Sequence, residues 1–550
     1  MQTLYFHLPP LLLALFILFS GVQSQQVPLK AAVSSETKDP GRKLIFLFDG
    51  TGNGLDDSRP TNVDRFRELL YNDSQSASEQ VVKYYTGIGT YRPSGVSHVI
   101  PFYSKGLQLM DQGVAVYFPD HVMNAYKELC ETYKPGDKIS IFGFSRGAYT
   151  ARAVAAVVSH FGILRKQDLE TDIPSFMGRN VAKVVDSLRR SKRTRGALEA
   201  VFETYFNLEP FDRRRHSIEA YNKSKREFLH NAATFRDTYS TKPVEIDFLG
   251  VWDCVNSVGV LRARGAWFTS FNPYVKVFRH AVSLDERRSK FDRSMWEHKN
   301  ESEMAKIMPG RIDSTDVEQV WFAGSHSDVG GGSVQIERGT GKCKFFIHCA
   351  APVDFISVSA NDRTSSLANI SLRWMIMECF RTGSGIIFNT MQLKQTGLLP
   401  QESPLLESPG LVVWASQSNL AKYITSENIK ENDLDTLAEI HDQLKNSWLK
   451  PSRWGWSALE WMRVKKWDPD NSEVTYKRNK GQGRKIQYRN PSAQHGIACA
   501  QSSKNGKIKI HQSVKTRMES DKKYVPAARL VLDSGEKDIS VECPEVEWVQ

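Results

Sequence analysis

Apolar residues come in short runs, and polar stretches with helical periodicity separate them. Leu44 to Phe48, Ile139 with Ile141 and Phe142, Phe248 to Trp252, and Val320 to Ala323 are short and hydrophobic on both alternations. That pattern predicts parallel strands buried on both faces. Ahead of the second run, Val122, Ala125, Tyr126, Leu129 and Tyr133 keep the i, i+3, i+4, i+7 spacing of an amphipathic helix, which Pro135-Gly136 ends. After it, Ala148 to Val158 is rich in small residues and reads as a helix that can approach a sheet closely. Strand, helix, strand, helix in this order predicts an α/β fold: a mostly parallel sheet with helices on both faces.

Past about Pro400 the pattern weakens. Leu434, Leu437, Ile440, Leu444 and Trp448 recur at helical spacing. Trp454, Trp456, Trp461 and Trp467 form an aromatic stretch, and Lys477 to Arg489 is basic and interrupted by glycine. An α+β extension over 401–550 is expected, following a main domain over 43–400 that carries a basic insertion at about 165–240. At the other end, Leu11 to Phe19 is unbroken apolar sequence followed by the small-residue stretch Ser20 to Ser24. It is short for a membrane span and suits a cleaved signal peptide over 1–24, although its n-region lacks Lys and Arg. Residues 25–42 read as a polar leader, and a secreted protein is expected.

The chemistry gathers where the predicted strands end. Gly143-Phe144-Ser145-Arg146-Gly147 is G-x-S-x-G between a strand and a helix, the arrangement of a nucleophile elbow. A serine there needs a base, and the base needs an orienting acid. Asp253 follows the Phe248–Trp252 run, where a parallel strand would deliver it to the ligand-binding rim; a turn or helix cap is the plain alternative. His326 leaves the next strand into Gly324-Ser325-His326-Ser327-Asp328-Val329-Gly330-Gly331-Gly332 and is the candidate base. Asp328 competes as the acid but follows the histidine, out of the serine–acid–histidine order of α/β-hydrolases, so Asp253 is preferred. The first strand opens into Asp49-Gly50-Thr51-Gly52, a loop expected to bring a second oxyanion amide opposite that of Arg146. Leu47 and Thr51, two positions either side of Asp49, leave no paired carboxylate for an aspartyl-phosphate chemistry.

These segments together resemble an α/β-hydrolase family that includes the type VI secretion phospholipase effectors of bacteria and many fungal proteins. The matching stretches are FLFDGTGN (46–53), YYTGIGT (84–90), GFSRGAYTAR (143–152), FLGVWD (248–253), SLDERRSKF (283–291) and VWFAGSHSDVGGG (320–332), in the family's order. IHQSVKTR (510–517) with Tyr524-Val525-Pro526 matches more weakly. The resemblance implies a serine esterase or phospholipase with Ser145 as nucleophile, Asp253 as acid and His326 as base. Ala156, Cys254, Asn256 and Ser333 depart from the family's usual residues, and the changes at Cys254 with Asn256 and at Ser333 are placed to reshape the acyl or leaving-group pocket.

Composition changes this picture little. The net charge of +11 is concentrated in Arg189 to Arg195 and Arg213 to Arg215. Those clusters suit either a solvated insertion or peripheral contact with an anionic membrane surface, and no nucleic-acid motif accompanies them. Asn72, Asn222, Asn300 and Asn369 are glycosylation sequons compatible with export. The 7 cysteines form neither a disulfide framework nor a zinc spacing. No metal or organic cofactor is required by the expected reaction, cleavage of a carboxylic or phospholipid ester. A catalytically silent binding protein, or an amidase or thioesterase on the same three residues, are the alternatives.

Overall fold

The computed structural model describes residues 41–51, 60–71, 80–87, 103–169, 217–240, 244–255, 269–298, 314–333, 364–395, 435–445, 473–488, 506–532 and 534–550, with a few shorter pieces between them. The leader, Gly52, the two arginine clusters, Cys343, Cys349, Cys499, Asn72 and Asn300 lie outside the described residues. Cys130, Cys254, Cys379 and Cys543 are buried free thiols.

Eight parallel strands form one sheet: β1 (Lys43–Phe48), β2 (Gln80–Tyr85), β3 (Lys138–Phe144), β4 (Ile246–Trp252), β5 (Val275–Ser283), β6 (Asp316–Phe322), β7 (Ile508–His511) and β8 (Val546–Val549). Their order is β2-β1-β3-β4-β5-β6-β7-β8, so the chain reverses direction across the sheet between β1 and β3. That junction is the crevice where an open α/β sheet offers a site at its carboxyl edge. Alternation along β1 shows how both faces are filled. Leu44, Phe46 and Phe48 join one apolar cluster; Ile45 and Leu47 join the other.

On the first face lie α2 (Tyr103–Thr132), α3 (Ser145–Phe161) and α4 (Ile218–Tyr239); on the second lie α1 (Asn62–Leu69), α6 (Leu367–Arg381) and α7 (Gln512–Ser520), with the single turn of α5 (His326–Gly330) at the sheet's rim. The helix expected around Val122 is α2, whose Phe118, Val122, Ala125, Tyr126 and Leu129 are fully buried. Every residue of α3 except Arg146 is buried, which explains its alanines. A helix enclosed between a sheet and two other helices has no solvent face, and small side chains allow that close fit. None of the described helices is long and apolar enough to cross a membrane.

Three expectations change. The division at residue 400 cuts through the sheet, because β7 pairs with β6 at Ile510–Trp321 and β8 extends from β7. A smaller three-stranded sheet (Lys485–Gln487, Arg529–Leu532 and Gly535–Asp538) belongs to the same late segment. Over the described residues 435–445 the helical spacing read from Leu434 to Trp448 does not become a long helix, and Leu434 and Trp448 themselves lie outside the described residues. Residues 435–445 form turns, Leu437 is exposed, and the local backbone is held from afar. Asp435 pairs with Arg373 at 2.6 Å, while Arg517 Nη1 donates to the carbonyls of Thr436 and Ala438 at 2.6 and 2.7 Å. Asn369, read as a sequon, is a buried residue of α6 whose amide donates to Asp435 and whose oxygen accepts from Arg65. It offers no room for a glycan in the folded chain.

Candidate active site

β3 runs directly into α3, and the turn between them falls on one residue. Ser145 has φ of 59°, a left-handed backbone that a non-glycine residue adopts only under tertiary constraint. The flanking glycines are required by contact. A Cβ on Gly143 would stand 2.6 Å from the Gly147 carbonyl oxygen, and one on Gly147 would stand 2.3 Å from that of Asp49. The G-x-S-x-G pattern is therefore the steric condition for pressing the start of α3 against the end of β1.

Asp253 immediately follows β4 and is also left-handed, with φ of 35°. His326 begins α5 just past β6. The three side chains meet. Ser145 Oγ lies 2.7 Å from His326 Nε2, and His326 Nδ1 lies 2.6 Å from Asp253 Oδ2. All three are buried, Ser145 at 5% exposure. Phe144 lies against the imidazole at 4.6 Å between centroids, and Phe291 meets it edge-on at 4.7 Å.

Asp328 takes a different part. Its Oδ2 accepts from the backbone and hydroxyl of Ser325, closing the cap of α5, while Oδ1 lies 2.6 Å from His441 Nδ1. It fixes the loop that carries His326 and does not touch the imidazole's partners. Glu286 adds to this, accepting the His326 amide at 3.2 Å while forked to Arg288.

Electrostatics separate the groups. Burial alone would raise the Asp253 carboxyl, but the Arg484 guanidinium and His326 outweigh it and hold it well below the usual carboxylate range. Burial lowers His326 below the ordinary histidine value, although Asp253 pulls the other way. The imidazole is thus neutral near pH 7, as a proton acceptor must be. Glu286, despite its burial, is brought down to about 2 by Arg288.

The loop after β1 is organised differently from expectation. Asp49 faces inward: Oδ1 accepts from the Gly50 amide at 2.5 Å and the Thr61 hydroxyl at 2.7 Å, and Oδ2 accepts from Tyr84 at 2.5 Å. Its carboxylate shapes the loop, and the Gly50 N–H is committed to it instead of to an oxyanion position. The reason is tertiary: Thr61 at the cap of α1 and Tyr84 of β2 hold the carboxylate inward, where it also meets the Gly50 amide. In the same loop Thr51 Oγ1 is buried and has no hydrogen-bond partner among the described residues. Arg146 is the first residue after the serine in α3.

Sequence reasoning missed the residues that hold the site together from the late segment: Arg484, His441 and Tyr524. Tyr524 donates to Asp285, which also accepts the Gly324 amide and so steadies the start of the His326 loop. Asp285, Glu286 and Arg288 stand inside the SLDERRSKF match and Tyr524 inside the weaker one, which was the available signal. Arg484 had none, being one cation in a basic stretch.

The family model for the type VI secretion system phospholipase effector Tle1-like catalytic domain matches residues 42–378. The uncharacterized protein YEL023C of Saccharomyces cerevisiae is 30% identical over 266 residues, a match covering 47% of this chain and 33% of that protein's length. Among solved structures, the Tle1 effector bound to the VgrG spike of the type 6 secretion system is 18% identical, with a TM-score of 0.26 and 55% of each chain covered. An uncharacterized protein from Pseudomonas aeruginosa is 16% identical, with a TM-score of 0.31, covering 72% of this chain and 53% of its own.

Proposed function

The chain belongs to the Tle1-like phospholipase effector catalytic family, and from that premise we propose that it is a serine hydrolase of the lipase or phospholipase type, cleaving carboxylic esters through an acyl-enzyme. The observation that carries this reading is the continuous run of short contacts from Ser145 Oγ through both ring nitrogens of His326 to Asp253, at 2.7 and 2.6 Å.

As Ser145 attacks the ester carbonyl carbon, its hydroxyl proton passes to His326 Nε2. Asp253 stays ionised and steadies the imidazolium through Nδ1–H. The carbonyl oxygen becomes an oxyanion, held by the Arg146 amide at the N-terminus of α3 and by a donor from the Thr51 side of the β1 loop. Collapse expels the alcohol, which takes the proton from His326 and leaves the acyl group on Ser145. Water then gives a proton to the same imidazole as its oxygen attacks the acyl carbon, and collapse breaks the bond to Ser145 Oγ, which takes that proton back as the carboxylic acid leaves. The substrate is a lipid ester met at an anionic membrane surface, and export depends on cleavage of the leader at 1–24.

The test is reaction with a fluorophosphonate probe followed by incubation with short-chain esters and mixed phospholipid vesicles, products being read by mass spectrometry. The wild type is expected to label and to release fatty acid. Ser145→Ala should lose labelling and about 10⁴-fold or more of the turnover. A folded wild type that neither labels nor turns over would point to a binding protein. Faster turnover of amides or thioesters would move the leaving group to another class. N-terminal sequencing of exported protein should begin at Gln25.

A further inference from the structure

Asp253 is the most enclosed charge of the site, fully buried, and it receives an unusual number of donors. Besides His326, its Oδ1 accepts the Ser283 amide at 2.9 Å. Arg484, 231 residues away in sequence, then grips both oxygens, Nη1 on Oδ1 at 2.5 Å and Nη2 on Oδ2 at 3.0 Å. The guanidinium is itself pinned. Nη1 also donates to the hydroxyl and carbonyl of Ser283 at 2.8 and 3.1 Å, and Nη2 to the Phe291 carbonyl at 2.5 Å. Its own backbone is tied into the smaller sheet, where its carbonyl accepts from the Arg529 amide at 2.9 Å. Through the amide of Ala528 donating to Leu284, that sheet is tied to the end of β5.

A buried carboxylate with only an imidazole for company is poorly placed to stay ionised, since removal from water favours the neutral acid. A planar, permanently charged fork that matches both oxygens supplies the missing charge and fixes the carboxylate plane. We propose that Arg484 is a positioning residue of the hydrolase, the buried counter-ion that keeps Asp253 ionised and its Oδ2 aimed at His326 Nδ1. This rests on the reading of Ser145, His326 and Asp253 as the reacting unit. It implies that the late segment completes the chemistry instead of merely decorating the domain. No proton moves to or from Arg484; it acts only through Asp253.

The charge and the fork can be separated. Arg484→Met removes both, and Arg484→Lys keeps the charge but loses the two-oxygen grip. Rates are taken per active site, counted by fluorophosphonate titration, so that unfolded protein does not enter. For Arg484→Met, kcat should fall about a hundredfold or more with KM little changed. The acid limb of its kcat/KM profile should move upward by about one to two pH units, because a nearby positive charge has been lost. Arg484→Lys should keep the limb near its wild-type position with a smaller loss in kcat. If Arg484→Met does not fold, Arg484→Lys carries the test in an Asp253→Asn background, read as probe-labelling rate. There it should cost little, because its partner carboxylate is gone. An unmoved acid limb in Arg484→Met, or an equal cost of Arg484→Lys with and without Asp253, would overturn the proposal. Absence of labelling in the wild type would instead remove the reading beneath it.

Discussion

The position of the Ser145 hydroxyl follows from where its backbone is forced to go, and two glycines decide that. With 2.3 Å between a Cβ at position 147 and the Asp49 carbonyl oxygen, Gly147→Ala must push the β1 loop away from α3. A stability loss of about 1–3 kcal/mol is expected from such overpacking, seen as a lower urea midpoint. Turnover per folded molecule should fall as well, since the loop moves relative to the serine. His326 sets the pH response. The reaction needs the neutral ring, and burial places its proton affinity below the ordinary histidine value. Activity should therefore hold through neutral pH and fall on acidification only below about 6.5. A kcat/KM profile with its acid limb above that value would contradict the burial argument.

At the scale of elements, α6 is fixed to the sheet by a buried ion pair. Arg279 of β5 meets Glu378 of α6 at 2.6 Å, with side chains 3% and 1% exposed. Removing Arg279 leaves the buried Glu378 with only the half-exposed Arg381 as counter-ion, so Arg279→Met should cost up to about 3–5 kcal/mol in denaturant unfolding. Arg279→Met with Glu378→Leu should recover most of that loss. Strands and elbow were legible because their signal is local: apolar runs buried on both faces, then polar residues where each run stops. The β1 loop was only half legible. The loop was expected to offer an oxyanion amide, and nothing in the order of residues reveals that Thr61 and Tyr84 turn Asp49 inward to take the Gly50 amide. Turn geometry near residue 435 was illegible for a similar reason. The spacing of leucines favoured a helix, while Arg373 and Arg517 impose a different backbone from elements distant in sequence. Arg484 shows the limit most clearly, because a buried counter-ion and a solvated cation are written with the same letter.

For the whole molecule, the sheet decides what can be separated from what. A chain ending at residue 400 would lose β7 and β8, leave β6 as a bare edge, and expose Trp321 and the neighbouring apolar face. Such a truncation is expected to be aggregated or non-cooperative in thermal unfolding, and not an active smaller hydrolase. A soluble truncated protein with a sharp transition would show that the main sheet stands without its last strands. Ser145, Asp253 and His326 leave the ribosome well before Arg484 and β7. A half-made chain thus carries its reacting groups without the strands and counter-ion that set them. The order of synthesis therefore sets the moment at which the three side chains can be held together, and that moment comes late, after nearly all of the chain has been made.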